Sequence, residues 1–206
     1  MHHIAIAGNI GSGKTSLTEL LSKYFGWEAH YEAVETNPYL HSFYEDMQRW
    51  SFNLQVYFLN SRFRQVVNIR NSGKTVIQDR TIYEDAHIFA PNLHAMNLMS
   101  TRDFENYSSL FELMSSFIKA PDLLIYLKAS VPTLVQQIQK RGRDYENAIR
   151  LDYLKSLNDR YESWISSYDE GKLLIIDVDK IKFINDPEGL GFIINRINAE
   201  LHGLFG

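Results

Sequence analysis

The feature that most constrains this chain is a glycine-rich segment close to its N-terminus, Gly8-Asn9-Ile10-Gly11-Ser12-Gly13-Lys14-Thr15. It matches G-x-x-x-x-G-K-[ST] at every fixed position, between a strand-like apolar run at 2–7 and a helix-like run at 14–25. In such a loop, glycines let backbone N–H groups and the positive end of the next helix point at phosphate oxygens. The loop is therefore predicted to bind ATP, with Lys14 at the β and γ phosphates and the Thr15 hydroxyl on Mg²⁺.

Strand-like and helix-like segments alternate along the rest of the chain. Strands are predicted at 2–7, 28–34, 75–78, 123–128 and 173–177, with helical stretches between them. Short β runs separated by helices are typical of an α/β fold with a parallel, doubly wound sheet. A chain of 206 residues fits one domain of ordinary size, so we expect a single five-stranded domain flanked by helices.

Composition limits the kinds of partner that this protein is expected to have. With 21 Lys+Arg against 25 Asp+Glu, the net charge of −4 gives no electrostatic footprint for a nucleic acid. The longest apolar runs are far shorter than the roughly 20 residues that a membrane helix requires. The chain has no cysteine, which makes a reducing compartment the default. We therefore predict a cytoplasmic protein that binds neither nucleic acid nor membrane.

Two segments in the middle of the chain have apolar helical patterns. Segment 50–71 has no Gly or Pro and is apolar on nearly all sides, which predicts a long, deeply buried helix. In segment 101–119, apolar residues recur at alternating spacings of three and four, namely Phe104, Tyr107, Phe111, Met114 and Ile118. Either helix can pack on the protein's own core or on a second copy, and the pattern leaves both open.

Four further segments carry the residues that point to a substrate. They are Tyr31-Glu32-Ala33-Val34, YEDMQRWSFNLQ at 44–55, DRTIYED at 79–85 and KRGRDYE at 140–146. With the glycine-rich loop, they resemble motifs of the deoxynucleoside kinase family in the family's order, from the loop to about Trp164. The resemblance implies a P-loop kinase fold and transfer of the γ-phosphate of ATP to the 5′-hydroxyl of a deoxynucleoside. A homodimer formed through helices at about 50–71 and 101–119 would agree with the family.

The resemblance also implies roles for single residues. Glu32 would be the general base, because a carboxylate beside the attacking hydroxyl can orient it and accept its proton; Glu35 is the rival in this segment. Tyr44 would bind the sugar 3′-OH, with its ring crowding out a ribose 2′-OH. Gln55 would pair with the base edge, since its amide donates and accepts at once.

Base choice is expected to depend on Arg62 and Asp85. Arg62 lies seven residues after Gln55, so both emerge on nearly one face of a helix. In the family, Asp85 would pair with this arginine, and such a pair accepts the amino group of adenine or cytosine more readily than the keto group of thymine. These residues do not decide between a purine and cytosine as the preferred base. Segment 78–98 resembles bacterial deoxyadenosine and deoxyguanosine kinases, and this resemblance favours deoxyadenosine.

The remaining motifs are assigned to phosphate and metal. Asp79 would lie near Mg²⁺, working through water because it is shorter than the family's commoner glutamate, and Arg80 would hold the 5′-oxygen and phosphate. A lid at about 141–148 would bring Arg141 and Arg143 over the phosphates. Glu146 would accept a hydrogen bond from the 3′-OH.

Two other functions fit part of this pattern. A nucleoside monophosphate kinase of the thymidylate kinase type would keep the fold, but its acceptor carries a phosphate that needs extra fixed cations. A regulatory protein that only senses ATP would need neither Glu32 nor the lid arginines. We therefore expect a deoxynucleoside kinase with ATP and Mg²⁺ as its cofactors.

Overall fold

The computed structural model describes residues 1–32, 36–143, 146 and 149–203. Five parallel strands form one sheet in the order β2-β3-β1-β4-β5, which confirms the predicted five-stranded parallel sheet. The strands are β1 His3–Ala7, β2 Glu28–His30, β3 Val76–Asp79, β4 Leu123–Lys128 and β5 Lys172–Asp177.

Helices connect the strands and cover both faces of the sheet. They are α1 Lys14–Phe25, α2 Leu40–Glu45, α3 Met47–Asn71, α4 Ile82–Glu84, α5 Ala90–Ala95, α6 Thr101–Ser115, α7 Val131–Arg141, α8 Leu151–Ser166 and α9 Pro187–His202. A π-helical segment, Asp85–Phe89, joins α4 to α5. No helix in the described ranges is long and apolar enough to cross a membrane.

Alternating residues of the central strands supply two separate hydrophobic cores. On one face, Ala5 and Ala7 of β1 and Tyr126 of β4 pack with buried residues of α3 and α8. On the other, Ile4 and Ile6 pack with buried residues of α1, α7 and α9. Because helices bury both faces, these strands are apolar runs and not alternating ones.

The parallel arrangement brings the predicted site residues to one edge of the sheet. The phosphate-binding loop, residues 8–15, follows β1, Glu32 comes shortly after β2, and Arg80 follows β3 directly. In an open parallel sheet, ligands bind beside the carboxyl ends of the strands where the strand order reverses. Here that point lies at β1, whose neighbours are β3 and β4.

Several element boundaries differ from the sequence-based prediction. The strand predicted at 28–34 ends at His30, because β2 is an edge strand and only three of its residues pair with β3; residues 33–35 lie outside the described ranges. After the predicted lid at about 141–148, helix α8 begins at Leu151.

The long helix α3 begins at Met47, three residues before the predicted start, with Asp46 accepting a hydrogen bond from the Arg49 N–H at 3.0 Å. The prediction that it is buried on nearly all sides is wrong. Its fully buried side chains lie on one face, and the opposite face exposes Asn60, Arg64 and Asn68. Many of its other apolar residues are only half-buried because they cover the margin of the core.

Helix α6 shows the expected apolar spacing, but Tyr107 is its only residue classed as fully buried within the described ranges. Phe104, Phe111 and Met114 are half-buried against the core, and Ile118 follows the end of the helix. Next to this face, Leu113 and Phe117 are 60% and 68% exposed. The pair α3 and α6 therefore presents apolar surface to solvent.

Candidate active site

A cavity of about 530 Å³ opens at the carboxyl edge of the sheet. Of the residues predicted for the site, those that line it are Ile10, Gly11, Lys14, Thr15, Glu32, Tyr44, Gln55, Asp79, Arg80, Asp85, Arg141, Arg143 and Glu146. Apolar side chains such as Leu54 and Phe89 complete its wall, and a cavity of this size that combines apolar walls with converging polar groups is typical of a small-molecule site. Five other residues predicted for the site do not line the cavity: Gly8, Asn9, Ser12, Gly13 and Arg62.

The phosphate-binding loop has a backbone that only glycine accepts at two of its positions. Gly11 has φ +86°, and a Cβ added there would lie 2.8 Å from the Leu134 carbonyl oxygen. Gly13 has φ +95° and precedes α1, and no side chain among the described residues caps that helix. The first N–H groups of α1 therefore remain available to an anion, together with the positive end of the helix.

The first two residues of the loop, Gly8 and Asn9, are held by hydrogen bonds to residues that do not line the cavity. The Gly8 N–H donates to Glu84 Oε1 at 3.2 Å. The Asn9 side-chain amide donates to the Leu154 carbonyl at 3.1 Å and to Asn158 Oδ1 at 3.2 Å, both on α8. Asn9 can therefore contribute to phosphate binding only through its backbone.

Lys14 is buried among backbone acceptors. Its ammonium donates to the Gly8 carbonyl at 2.8 Å and to the Asn9 carbonyl at 3.1 Å. Burial, with a smaller contribution from the Arg80 charge, lowers the pKa of Lys14 to about 8. A phosphate anion would reverse this shift, because a nearby opposite charge favours the charged form.

Glu32 lies between two buried arginines. Its Oε1 accepts from Arg62 Nη2 at 2.8 Å, and its Oε2 is 3.4 Å from Arg80 Nε. Burial acts to raise the pKa of this carboxyl, but the charges of Arg80, Arg62 and Lys14 outweigh it and hold the pKa at about 2. The carboxylate thus stays ionised at neutral pH and faces the cavity between the loop and α3.

Arg62 and Asp85 form a second buried ion pair. Arg62 Nε donates to Asp85 Oδ2, and the guanidinium lies 5.0 Å from the centre of the Phe58 ring. Burial raises the pKa of Asp85 to about 7, against the opposing charge of Arg62. Arg62 thus connects Asp85 on the cavity wall to Glu32, so the two carboxylates share one guanidinium.

Gln55 and Tyr44 lie on neighbouring helices on the α3 side of the cavity. Gln55 is buried, and within the described part of the chain its Oε1 has no hydrogen-bond partner. A buried acceptor without a partner costs about 1–3 kcal/mol, which a ligand donor would offset. Tyr44 is carried by α2, with its ring 5.1 Å from that of Phe43 in an edge contact.

Thr15 and Asp79 meet at the base of the phosphate-binding loop. The Thr15 hydroxyl donates to Asp79 Oδ2 at 2.6 Å, and the buried Oδ1 of Asp79 has no partner among the residues described. Hydroxyl and carboxylate oxygens are ligands that Mg²⁺ prefers. The donor set therefore fits a magnesium ion, although no group of three acidic or histidine side chains in the described ranges forms a metal cage.

Arg80 has a strained backbone at the end of β3. Its φ of +69° lies in the left-handed region, which costs a non-glycine residue on the order of 1–3 kcal/mol and often marks a functional position. Its side chain is buried, stacks on the Phe89 ring at 4.6 Å and donates to Tyr161 Oη at 3.0 Å.

Glu84 and Tyr161 contact Arg80, and neither belongs to the set of residues predicted for the site. Glu84 had a detectable signal, because Thr81-x-x-Glu84 is a capping-box pattern, and both bonds of that box are formed at the start of α4. Tyr161 carried no such signal, since a tyrosine in an amphipathic helix is usually a packing residue.

In the described part of the predicted lid, the charged side chains pair with one another. Arg141 binds both carboxylate oxygens of Glu146, and Arg143 Nη1 lies 3.6 Å from the same carboxylate. Asp144 and Tyr145 lie outside the described residues. The three predicted lid groups are thus together at the cavity, with Glu146 paired to arginine.

Known proteins resemble this chain in both sequence and fold. A family model described as deoxynucleoside kinase matches residues 4–202. A deoxyadenosine/deoxycytidine kinase of Bacillus subtilis is 39% identical over 202 residues, covering 97% of this chain and 93% of its own length. A deoxyguanosine kinase of Lactobacillus johnsonii is 39% identical over 207 residues, covering 96% and 92%. A structure of deoxyadenosine kinase from M. mycoides, with dCMP and a flexible dCDP bound, superposes with a TM-score of 0.86 at 30% identity, covering 96% of this chain and 99% of that one.

Proposed function

This chain belongs to the deoxynucleoside kinase family, and on that premise we propose that deoxyadenosine is the preferred acceptor of the γ-phosphate of ATP. Deoxycytidine and deoxyguanosine are the next acceptors, and thymidine is the poorest. The buried Arg62–Asp85 pair at the cavity supports the discrimination against thymidine, and the preference for deoxyadenosine rests on the similarity of the chain to a deoxyadenosine/deoxycytidine kinase. Asp85 offers an acceptor to an exocyclic amino group, and the Gln55 amide can donate and accept beside it.

Glu32 orients the 5′-hydroxyl and takes its proton. A carboxyl with a pKa of about 2 is a weak base. In phosphoryl transfer through a loose transition state, however, the orientation of the attacking hydroxyl matters more than the proton affinity of the base. Arg62 and Arg80 supply that positioning, because each holds one oxygen of the carboxylate. Proton transfer from the hydroxyl follows as the new O–P bond forms.

Positive groups around the cavity stabilise the charge on the transferred phosphoryl group. Lys14 and the N-terminus of α1 approach from the loop side, and Arg80 approaches from β3. Arg141 and Arg143 would leave Glu146 when phosphates offer them a stronger partner. Glu146 would then be free to accept the 3′-OH beside Tyr44.

A magnesium ion bound with ATP would be held by the Thr15 hydroxyl and by Asp79. It would supply neutralisation of the charge on the β and γ phosphates. Burial raises the pKa of Asp79, partly opposed by the charge of Lys14, so a cation at this position would favour its ionised form.

A homodimer through α3 and α6 is the arrangement that we propose for this protein in the cytoplasm. The exposed apolar residues there are Val67 on α3, Leu110 and Leu113 on α6, and Phe117 just after it. A second copy would remove them from water, which is favourable by about 25 cal/mol per Å². Light scattering should give the mass of a dimer for the wild type and of a monomer for Phe117→Asp; a wild-type monomer would refute the arrangement.

The acceptor proposal is tested by competition of the four deoxynucleosides for phosphorylation by the purified chain. Deoxyadenosine should give the highest kcat/KM, and thymidine the lowest. Equal rates for the three amino-bearing nucleosides would remove the preference, and a preference for thymidine would remove the role of the Arg62–Asp85 pair.

The role of Glu32 is tested by Glu32→Gln, which keeps the shape of the side chain and removes its charge. We expect kcat to fall about a hundredfold or more, because general bases contribute about 10²–10⁴-fold. The matched control is Glu28→Gln on β2, whose carboxylate is exposed and pairs with Lys74 at 2.9 Å. A loss of less than tenfold for Glu32→Gln would exclude the base role.

A further inference from the structure

We propose that Tyr161 and Glu84 are positioning residues that hold Arg80 and the start of the phosphate-binding loop in their reactive arrangement. Tyr161 lies on α8, 81 residues from Arg80 in the chain, and Glu84 lies four residues after Arg80 on α4. The inference rests on the proposed role of Arg80 in phosphoryl transfer.

Glu84 joins the phosphate-binding loop to the turn that follows β3. It is fully buried, and both of its oxygens are occupied. Oε1 accepts from the Gly8 N–H at 3.2 Å and from the Tyr161 hydroxyl at 2.7 Å, whereas Oε2 accepts from the Thr81 N–H at 2.7 Å. One carboxylate therefore fixes the first residue of the loop relative to the turn that carries Arg80.

Tyr161 completes the connection to the Arg80 side chain. A phenol has one proton to donate, and here Glu84 receives it, so a lone pair of the oxygen is left for Arg80 Nη1 at 3.0 Å. The order of donors and acceptors is thus settled, because an arginine can only donate and a carboxylate can only accept. Tyr161 has no exposed surface, so water cannot replace its hydroxyl without a rearrangement.

Arg80 needs this support because its backbone is strained and its other neighbours compete for it. Glu32 is 3.4 Å from Nε, and Glu84 Oε1 is 3.8 Å from Nη1. Without the Tyr161 oxygen, Nη1 would be drawn towards Glu84, and the guanidinium would shift with it. A displacement of about 1 Å at a reacting centre can cost on the order of 100-fold in rate.

A neighbouring tyrosine provides a matched control. Tyr126 on β4 is as buried as Tyr161, and the two rings stack with centres 5.9 Å apart. Its hydroxyl donates to Glu162 at 2.8 Å. Tyr126→Phe therefore removes a buried hydroxyl from the same core without touching the bond to Arg80.

The test measures kcat, the KM values for ATP and deoxyadenosine, and Tm for Tyr161→Phe and Tyr126→Phe. We expect Tyr161→Phe to lower kcat about 10–100-fold with both KM values within about threefold, whereas Tyr126→Phe changes kcat less than about twofold. Tyr161→Phe should lower Tm more than Tyr126→Phe, because it removes a hydrogen-bond partner from the buried Arg80 and Glu84, whereas Glu162 is partly exposed to water. The kcat values are therefore compared well below both Tm values. Equal kcat values for the two variants would overturn the inference, because a packing role predicts them.

A double-mutant cycle with Arg80→Ala separates this inference from the proposed function. If Tyr161 acts through Arg80, Tyr161→Phe should lower kcat less than about twofold further in the Arg80→Ala background. If Tyr161→Phe lowers kcat as much in the Arg80→Ala background as it does in the wild type, the inference is overturned. That holds even where Arg80→Ala alone lowers kcat more than about a hundredfold, as its proposed role predicts. Arg80→Ala within about tenfold of wild type would instead overturn the proposed role of Arg80.

Glu84→Gln is a second variant that keeps the side-chain volume. An amide has one acceptor oxygen and one donor group, so one of the two Glu84 positions would face an N–H or hydroxyl without an acceptor. We expect it to lower kcat and also weaken ATP binding, because loss of the bond from either the Gly8 N–H or the Thr81 N–H breaks the link between the loop and the turn that carries Arg80. Unchanged kcat in a variant of wild-type Tm would exclude Glu84 from the positioning unit.

Discussion

Lys14 provides a test of the phosphate-binding loop that needs no loss of a side chain, because its charge should depend on pH near neutrality. Burial lowers the pKa of Lys14 to about 8 in the free protein. Its charged fraction should then fall from about 90% at pH 7 to about 10% at pH 9. Bound phosphates would restore the charge, so binding takes up a proton at high pH.

The expected effect on ATP affinity follows from these fractions. If only the charged form binds tightly, the Kd for a non-hydrolysable ATP analogue should rise about tenfold between pH 7 and pH 9, which is about 1.4 kcal/mol. Calorimetry with Mg²⁺ present, without a nucleoside, measures this directly. Lys14→Arg is the control, because a guanidinium stays charged throughout and should give a Kd that depends much less on pH.

The stability of the free protein should change in the opposite direction. A lysine whose pKa is lower in the folded state than in the unfolded chain binds fewer protons when folded, so the free energy of unfolding gains a contribution as pH rises above 8. The gain should be present in wild type and absent in Lys14→Arg. A Kd that changes less than twofold between pH 7 and pH 9, or changes equally in both proteins, would refute the reasoning.

Two further predictions concern stability. Arg62→Ala should reduce the free energy of unfolding in urea by about 3–5 kcal/mol, because it leaves the buried Asp85 carboxylate unpaired and Glu32 with Arg80 alone. Arg64→Ala on the exposed face of α3 should change it by less than about 0.5 kcal/mol, and similar losses for the two variants would contradict the buried network. Gly11→Ala should destabilise the folded protein by more than about 1 kcal/mol and weaken ATP binding. Gly191→Ala in α9 should stabilise it by about 0.5–1 kcal/mol, because an added Cβ there meets nothing within 4 Å. Thermal unfolding and calorimetry measure both glycine variants, and equal Tm values would show that the loop tolerates a side chain.

The site was predictable to the extent that its residues fall in short local patterns. Residues 8–15 and 79–85 each lie at the end of a strand, and the ends of parallel strands meet at one edge whatever the details of packing. Glu84 could have been found from its capping box. Tyr161 could not, because its partners lie 77 and 81 residues away and only the packing of α8 brings them together.

The main error concerned burial of α3, and it has a simple physical reason. An apolar residue in a helix predicts contact with something apolar, but not how much of its surface that contact covers. Apolar residues at the margin of the core, such as Val56 and Phe63, remain half-exposed. The same limit applies to α6 and the residues just after it, because the exposed Leu113 and Phe117 are as apolar as residues inside the core.

The phosphate-binding loop, the alternation of strands and helices and the family resemblance can all be recognised in the amino-acid sequence, because each depends on local spacing and residue type. Which charged groups meet depends instead on how the helices pack. Glu32 lies between Arg62 and Arg80, Arg62 is shared with Asp85, and Tyr161 reaches Arg80 from a distant helix. The pKa values of Lys14 and Glu32 depend on that arrangement, since burial and neighbouring charges are properties of the folded chain and not of any segment.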